Sequence, residues 1–336
     1  MAASLAGEQY FTLPDGRTLA YEHNGNPQSS TVVMFFHGVM GVGDAKRMPP
    51  GLDGRDVHFI APTLPGWGKS SPRPAATPLH LTLPQDYTAF LLHLHPNALK
   101  DDTFHLYIGG GSYGTVPAQI LLGCAHDLFP FNRPDKLKGC LLAAGFCPFY
   151  KNPNWAKDMT MANWIGIGPV AVKTPFKLVP RLVAFALNSK VNTPEKAQQF
   201  IKGFMFDKMK EDEIHALEKS HPGKTVHELR LDFGNNVYRS IEVSWAGYMD
   251  VAETTNANWG LREDLFKAED EEDAAEDKTR TRILVATTTE DDMAPPALSE
   301  WNAKHYRNAH LQVYPGGHIG LMGYFKELWE ALLDGA

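Results

Sequence analysis

Short, continuous apolar runs recur in residues 31–144 and again from residue 283 on, and are missing between these two parts of the chain. Each run is of strand length, and none shows the regular alternation of polar and apolar positions expected of a half-exposed strand. This pattern is typical of parallel strands that are buried on both faces. The runs cover residues 31–36, 57–61, 104–108, 137–144, 283–286 and 311–314.

Turn and helix patterns fill the intervals between these runs. Pro14-Asp15-Gly16 lies between residues 10–13 and 18–21, which predicts a hairpin ahead of the first buried strand. Residues 85–94 and 297–306 have the apolar spacing of helices. Strands that alternate with helices or loops predict an α/β fold, with a mainly parallel sheet flanked by helices and joined by right-handed crossovers.

The middle of the chain follows a different pattern and is rich in Pro, Trp, Phe and Met. Thr193-Pro194-Glu195 is a typical helix start, and residues 226–252 show helical periodicity. A helical segment that interrupts a sheet predicts an inserted cap domain. We therefore divide the chain into a core formed by residues 1–147 and 266–336 and a helical cap formed by residues 148–265.

A glycine-rich turn with one serine follows the run at 104–108, and a helical pattern begins directly after it. Gly110-x-Ser112-x-Gly114 matches the nucleophile elbow, in which a sharp strand-to-helix turn exposes a serine hydroxyl. Side chains two positions before and after that serine would clash with the strand and the helix, so Gly110 and Gly114 suit the turn. The motif predicts Ser112 as a nucleophile.

The same glycines are open to two other interpretations. Gly109-x-Gly111-x-x-Gly114 fits the dinucleotide fingerprint, which needs an acidic residue about 20 positions further on. The next apolar run ends in Gly145-Phe146 with no carboxylate. An ordinary glycine-rich turn is the third interpretation.

A catalytic serine needs an adjacent base, and the base needs a carboxylate that fixes its tautomer. His318 follows the last apolar run, and both Asp291 and Asp292 follow the run before it. Because the carboxyl ends of parallel strands share one edge of a sheet, we expect Ser112, an aspartate and His318 to meet there. Either aspartate could instead cap the helix that follows.

Acyl transfer also needs N–H donors for the oxyanion that develops on the substrate. We expect one donor to be the backbone amide of Tyr113, directly after the serine. The second is expected from Val39, in the loop that begins with His37-Gly38 after the run at 31–36. We interpret His37 itself as structural and Gly38 as a loop glycine beside the site.

Composition limits the kind of partner. The 336 residues carry a net charge of −7, which argues against a nucleic-acid or anionic-membrane surface, and much of the acidity lies in a run at 269–277 that we interpret as a solvated loop. Cys124, Cys140 and Cys147 have no metal-binding spacing and are expected to be buried and reduced. We see no signal-peptide pattern and no apolar stretch of membrane-spanning length, so we expect a cytoplasmic protein without an integral membrane segment.

These motifs, in this order, resemble those of serine-dependent α/β-hydrolases with a helical cap, which are esterase- or lipase-like. In that family a proline follows the acid by four positions, and both Asp291 and Asp292 satisfy this spacing. The double proline and the strand register favour Asp291, with Asp292 as the alternative. The resemblance covers nearly the whole core, at Pro14-Asp15-Gly16, His37-Gly38, Pro65-Gly66-x-Gly68-x-Ser70, Gly110-x-Ser112-x-Gly114, Asp291 and Gly317-His318.

The resemblance implies hydrolysis of an ester-like bond, in an ester, lactone or thioester of a small and apolar substrate, through an acyl-enzyme on Ser112. It implies no cofactor and no metal. The same residues would serve C–C bond hydrolysis, a lyase or an aminopeptidase, and a non-catalytic receptor for a small ligand also stays open. The serine disfavours the epoxide hydrolase and haloalkane dehalogenase branches of the fold, which use aspartate.

Overall fold

The computed structural model describes residues 7–268 and 279–335, so the acidic run at 269–277 lies outside the described residues. Its strands are β1 (Gln9–Thr12), β2 (Thr18–Gly25), β3 (Thr31–Phe36), β4 (His58–Pro62), β5 (His105–Gly111), β6 (Leu137–Ala143), β7 (Arg282–Thr288) and β8 (Ala309–Tyr314). They form one sheet in the order β1-β2-β4-β3-β5-β6-β7-β8. β1 and β2 pair antiparallel with their neighbours, and the other pairings are parallel. The predicted α/β fold, with its leading hairpin, is therefore confirmed.

The helices divide into those that cover the sheet and those that form an insertion between β6 and β7. The first group comprises α1 (Leu79–Leu94), α2 (Thr115–Gly123), α10 (Pro296–His305) and α11 (Phe325–Asp334). The second group, which we call the helical insertion, comprises α3 (Met161–Ile167), α4 (Pro169–Lys173), α5 (Leu178–Val191), α6 (Pro194–Phe204), α7 (Glu211–Ser220), α8 (Val226–Ile241) and α9 (Ala246–Asn256). The middle of the chain is thus helical, whereas the domain boundaries at 148 and 265 stay a prediction.

Two helices differ from the sequence-based predictions. α1 begins at Leu79 rather than at residue 85, because the helix accommodates Pro84 in its interior. The helical periodicity over residues 226–252 showed no break, but these residues belong to two helices, because the chain turns between α8 and α9 to reach the core. Gly247, in the first turn of α9, donates its amide hydrogen to Gly66 O at 2.8 Å.

Alternate residues of the central strands pack on opposite faces of the sheet, which explains why their sequences are continuously apolar. On β3, Val32 and Met34 join the cluster beneath α1, α2 and the helical insertion. Val33 faces the other side, where Leu328 and Trp329 of α11 cover the sheet. All five side chains are at most 1% exposed, so both faces of β3 belong to the hydrophobic core. The three cysteines are free thiols and buried, as predicted.

Three histidines form a hydrogen-bonded chain on the sheet, away from the carboxyl ends of the parallel strands. Gln9 Nε2 lies 3.0 Å from His23 Nε2, His23 Nδ1 lies 2.8 Å from His58 Nε2, and His58 Nδ1 lies 2.8 Å from His95 Nε2. Because the Gln9 amide can only donate to His23, His23 and His58 each donate from Nδ1 to the next ring. All three rings accept at Nε2, which requires them to be neutral. Burial, together with repulsion from His95 and His23, lowers the pKa of His58 to about 3.

Candidate active site

Three loops and one tight turn meet at the carboxyl edge of the sheet. Since β3, β5, β7 and β8 run parallel, the segments that follow them leave the sheet on the same side. Glu290 N–H donates to Gly316 O at 2.9 Å, which joins the segments after β7 and β8 directly. We call these segments the His37 loop (37–43), the Ser112 turn (110–114), the Asp291 loop (289–295) and the His318 loop (315–320).

Ser112 follows β5 in a strained backbone conformation. Its φ angle is +53°, in the left-handed region that residues other than glycine rarely occupy. A Cβ on Gly110 would lie 2.0 Å from Gly114 O, and a Cβ on Gly114 would lie 2.2 Å from Phe36 O. Only glycine fits these two positions, so the turn itself accounts for the glycine spacing around Ser112.

Two of the three glycines of the dinucleotide fingerprint, Gly109 and Gly111, lie inside a strand rather than in an open turn. Gly109 pairs with Phe35 of β3 and Leu141 of β6, and Gly111 pairs with Ala143 of β6. Their backbone is part of the sheet, whereas a pyrophosphate needs glycines in the turn between the strand and the helix. This geometry disfavours the nucleotide-binding interpretation.

Asp291 and His318 are joined directly. His318 Nδ1 lies 2.7 Å from Asp291 Oδ2, and the Asp291 side chain is fully buried. The other carboxylate oxygen, Oδ1, accepts hydrogen bonds from the amides of Met293 at 2.9 Å and Ala294 at 2.8 Å. These bonds fix the carboxylate, which in turn orients the imidazole and leaves Nε2 as the atom available for chemistry.

The neighbouring aspartate has different surroundings. The Asp292 side chain is 64% exposed, and Oδ2 lies 3.9 Å from Lys208 Nζ. Its backbone carbonyl accepts a hydrogen bond from Asn163 Nδ2 at 2.9 Å. Of the two aspartates that the sequence left as alternatives, Asp291 is the one that contacts His318.

The Ser112 hydroxyl lies at the same edge but is not hydrogen-bonded to His318. Within residues 7–268 and 279–335, Ser112 Oγ has no hydrogen-bond partner, and the contact made by the imidazole is the one to Asp291. Catalytic hydrogen bonds are often long in a structure without substrate and shorten in the complex. The structure therefore places the acid and the histidine in contact, and the serine at the same edge of the sheet.

The His37 loop lies against Ser112. A Cβ on Gly38 would lie 3.3 Å from Ser112 Cβ. In the described part of the chain, the amide of Val39 has no acceptor. The amide of Tyr113 lies in the first turn of a 3₁₀ helix (Ser112–Gly114), where N–H groups have no intrahelical acceptor. Both amides can thus donate to a bound substrate.

His37 organises this loop and is partly buried. Its Nε2 accepts the Leu64 amide hydrogen at 2.9 Å, so Nδ1 is the protonated nitrogen that donates to Gly38 O at 2.8 Å. Burial lowers the pKa of His37 to about 4, which keeps the ring neutral. Because C=O and N–H point in opposite directions across a trans peptide, holding Gly38 O fixes the direction of the Val39 N–H.

The family of the protein follows from a sequence comparison that covers this whole site. A model described as the alpha/beta hydrolase family matches residues 33–329, which include the three loops and the Ser112 turn. The chain belongs to the alpha/beta hydrolase family.

Solved structures of other alpha/beta hydrolases share this fold at low sequence identity. An alpha/beta hydrolase fold protein from Chitinophaga pinensis has a TM-score of 0.57 and 18% identity, covering 99% of both chains. A thermophilic esterase from Thermogutta terrifontis with malate bound has a TM-score of 0.55 and 16% identity, covering 98% of both chains. An esterase from Exiguobacterium antarcticum has a TM-score of 0.56 and 14% identity, covering 98% of this chain and 99% of its own. No curated protein matched the sequence.

Two structural features bear on other kinds of function. None of the helices in residues 7–268 and 279–335 is both long enough and apolar enough to span a membrane. In the same residues, no group of three or more His, Cys, Asp or Glu side chains could hold a metal ion. The cytoplasmic location stays a prediction.

Sequence reasoning missed Glu213, a buried carboxylate of the helical insertion that holds the His318 loop. Its Oε1 accepts the amide hydrogen of Gly317 at 2.7 Å, and its Oε2 accepts that of Lys210 at 2.9 Å. A Cβ on Gly316 would lie 2.5 Å from Glu213 Oε1, and one on Gly320 would lie 2.4 Å from it. The glycines around His318 were a sign that another group approaches this loop closely, although the sequence does not identify that group.

Two asparagines of the helical insertion hold the other loops in the same way. Asn163, on α3, donates to the carbonyl of Asp292 in the Asp291 loop, as described above. Asn236, on α8, accepts the Val42 amide hydrogen at 2.9 Å and donates to Val42 O at 3.3 Å. Together with Glu213, one polar side chain of the insertion therefore binds the backbone of each of the three loops.

A small cleft opens between the core and α9. The Tyr113 side chain forms part of its wall, beside an ion pair in which Arg73 Nε lies 3.0 Å from Asp250 Oδ2. Most of the other lining side chains are apolar, including Leu64, Trp67, Leu79 and Leu83. Ser112 and His318 do not line this cleft, so it is a neighbour of the site rather than its centre.

Proposed function

We propose that the protein is a serine hydrolase that cleaves an ester-like bond of a small, apolar substrate. The observation that carries this proposal is the 2.7 Å hydrogen bond between the buried Asp291 and His318, at the same sheet edge as the strained Ser112. An acid and a histidine paired in this way have a recognised use next to a serine, which is to activate its hydroxyl as a nucleophile.

In the proposed mechanism, His318 Nε2 removes the proton from Ser112 Oγ while Oγ attacks the substrate carbonyl carbon. The amides of Val39 and Tyr113 stabilise the oxyanion that forms, and Asp291 stabilises the imidazolium. Collapse of the intermediate breaks the bond to the leaving group, which takes the proton from His318. Water, deprotonated by His318, then attacks the acyl-enzyme and releases the acid and Ser112.

We further propose that residues 148–265 act as a cap over a core formed by residues 1–147 and 266–336. The hydrogen bonds that join Asn163, Glu213 and Asn236 to the backbone of the three loops support a position of the insertion directly above the site. A cap in this position would restrict access of water and select substrates by shape.

The first test is covalent labelling with a fluorophosphonate, which reacts with activated serines. We expect an adduct on Ser112 in the wild-type protein, found by peptide mapping, and none in Ser112→Ala or His318→Ala. Ser189→Ala, which alters an exposed serine of α5, is the matched control and should label like the wild type. A folded wild-type protein that does not react would contradict an activated serine.

A non-catalytic receptor for a small ligand is the second candidate, favoured by the missing hydrogen bond between Ser112 Oγ and His318. Turnover separates the two. A serine hydrolase of this kind should release acid from p-nitrophenyl esters, lactones or thioesters, with activity lost in Ser112→Ala. Binding of an ester without hydrolysis would favour the receptor. Cleavage confined to amide or C–C substrates would keep Ser112, His318 and Asp291 in their roles but change the reaction.

A further inference from the structure

One helix of the insertion exposes apolar side chains instead of burying them. Along α5, Leu178, Leu182 and Phe185 recur at the spacing that places residues on one face of a helix. Their exposed fractions are 48%, 59% and 82%. The opposite face, with Pro180 and Ala184, is buried against the rest of the insertion, so α5 is apolar on both sides.

Neighbouring segments extend this exposed face. Phe176 is 85% exposed, and its backbone φ angle of +57° is strained for a side chain of this size. Met161 and Ile165 of α3 and Val172 of α4 are also exposed. α3, α4 and α5 pack against one another, and apolar side chains exposed on adjoining helices are typical of an interaction site. We call this set the apolar face: Met161, Ile165, Val172, Phe176, Leu178, Leu182 and Phe185.

The stretch of sequence that carries the apolar face has a charge opposite to that of the whole chain. Residues 159–194 contain four cations and no Asp or Glu, although the chain as a whole has a net charge of −7. Lys177 is paired with Asp250 at 2.6 Å. The other three, Lys173, Arg181 and Lys190, are exposed and make no ion pair within the described residues.

We propose that the apolar face docks on an anionic lipid bilayer. Exposed aromatic and aliphatic side chains flanked by cations are the combination that binds helices to the surface of such a membrane. A second copy of the chain fits less well, because a symmetric contact through this face would bring the cations of both copies together. The net negative charge of the chain argued against binding to an anionic membrane. Because salt screens distant charges, however, the charges close to the bound surface determine this interaction.

Docking in this orientation would place the membrane close to the Asp291 loop. Asn163 lies between Met161 and Ile165 on α3 and is hydrogen-bonded to the carbonyl of Asp292. The apolar face and the site therefore share one short helix. The inference does not depend on the proposed hydrolysis, since it concerns binding and is tested by binding.

The test is flotation of the full chain with vesicles of phosphatidylcholine, with and without phosphatidylglycerol. We expect the wild-type protein to float with the anionic vesicles and to bind the neutral ones weakly. The double variant Leu182→Ser/Phe185→Ser should lower partitioning by about tenfold or more, because each lost apolar group removes membrane affinity. The double variant Lys173→Gln/Arg181→Gln should lower binding to anionic vesicles and weaken its dependence on salt.

Matched controls use exposed residues elsewhere on the chain. Val313→Ser, on the edge strand β8, and Lys304→Gln, on α10, should leave vesicle binding unchanged. Circular dichroism checks that every variant is folded like the wild type. The proposal is wrong if the wild-type protein does not float with anionic vesicles, or if Leu182→Ser/Phe185→Ser binds as well as the wild type. Dimers of the wild-type protein that this double variant abolishes, without any vesicle binding, would show instead that the apolar face binds a second copy of the chain.

Discussion

The sheet core and the helical insertion treat apolar side chains in opposite ways. Val32, Val33 and Met34 of β3 are completely buried, since helices or the insertion cover both faces of the sheet. On α5, Leu182 and Phe185 are largely exposed, although most residues of the helix are apolar. Apolar content alone therefore does not identify buried positions. The core buries its apolar side chains, whereas the insertion exposes some of them on the surface of the protein.

The two regions also contribute differently to the candidate site. The core supplies the groups proposed to do chemistry, and it fixes them with backbone geometry, as at Ser112 and Asp291. The insertion supplies Asn163, Glu213 and Asn236, whose side chains hold the backbone of the loops. If this division is correct, substitutions in the core and in the insertion should differ in the property they change, activity or stability, and in the size of the change.

The largest effect is expected at Asp291. Asp291→Asn keeps the shape of the side chain but removes the charge that fixes the tautomer of His318, so kcat should fall about 10⁴-fold, or about 5.5 kcal/mol. Asp292→Asn is the matched control, because this exposed side chain does not contact His318. Ester turnover measured on both variants checks the prediction. A greater loss in Asp292→Asn would reverse the assignment.

The second largest effect, on stability, is expected at a glycine of the Ser112 turn, with a glycine of the insertion as its control. Gly110→Ala would place a Cβ 2.0 Å from Gly114 O, so the free energy of unfolding should fall by about 4 kcal/mol. Gly203→Ala, on α6 of the insertion, places its Cβ in open space and should raise that free energy by up to about 1 kcal/mol. Urea unfolding of both variants measures this. Equal stability of the two would show that the turn can relax.

A smaller effect concerns the histidine chain of the core. The pKa of His58 is about 3 in the folded state against 6.5 for the free side chain, so the unfolded state binds the proton first as the pH falls. Stability is therefore lost below about pH 6.5, by about 2 kcal/mol at pH 5, and the loss from His58 levels off near pH 3.

Unfolding by urea at several pH values measures this slope. His58→Gln should make it shallower, whereas His215→Gln, an exposed histidine of the insertion, should leave it unchanged. A slope that is the same in wild type and His58→Gln would mean that other groups cause the acid sensitivity.

The smallest effect is expected at Glu213. Glu213→Ala removes the acceptor for Gly317 N–H, which lets the His318 loop shift, so kcat should fall about tenfold while KM stays nearly constant. Glu213→Gln keeps an oxygen acceptor and should restore most of the activity. Glu211→Ala, exposed on the same helix, is the control. A change in KM alone would indicate a role in substrate binding rather than in positioning.

The fold was predictable because buried parallel strands and turns leave local patterns in sequence. The Ser112 turn needs glycine at two fixed positions, and the histidine and the acid each follow a strand. The choice between Asp291 and Asp292 depended on loop conformation, which adjacent residues do not determine. Glu213 escaped detection because it lies far from His318 in sequence and belongs to a helix whose pattern shows only that it is amphipathic.

The three polar contacts from the insertion to the loops limit how this protein can be recombined with its relatives. Exchanging the region between β6 and β7 for that of another family member would transfer a new set of helices and a new surface. It would also remove the groups now provided by Asn163, Glu213 and Asn236, and leave the backbone amides of Gly317 and Val42 without their acceptors. A functional chimaera would therefore need equivalent acceptors for the amides of both loops. The insertion and the loops of the core consequently have to be exchanged together.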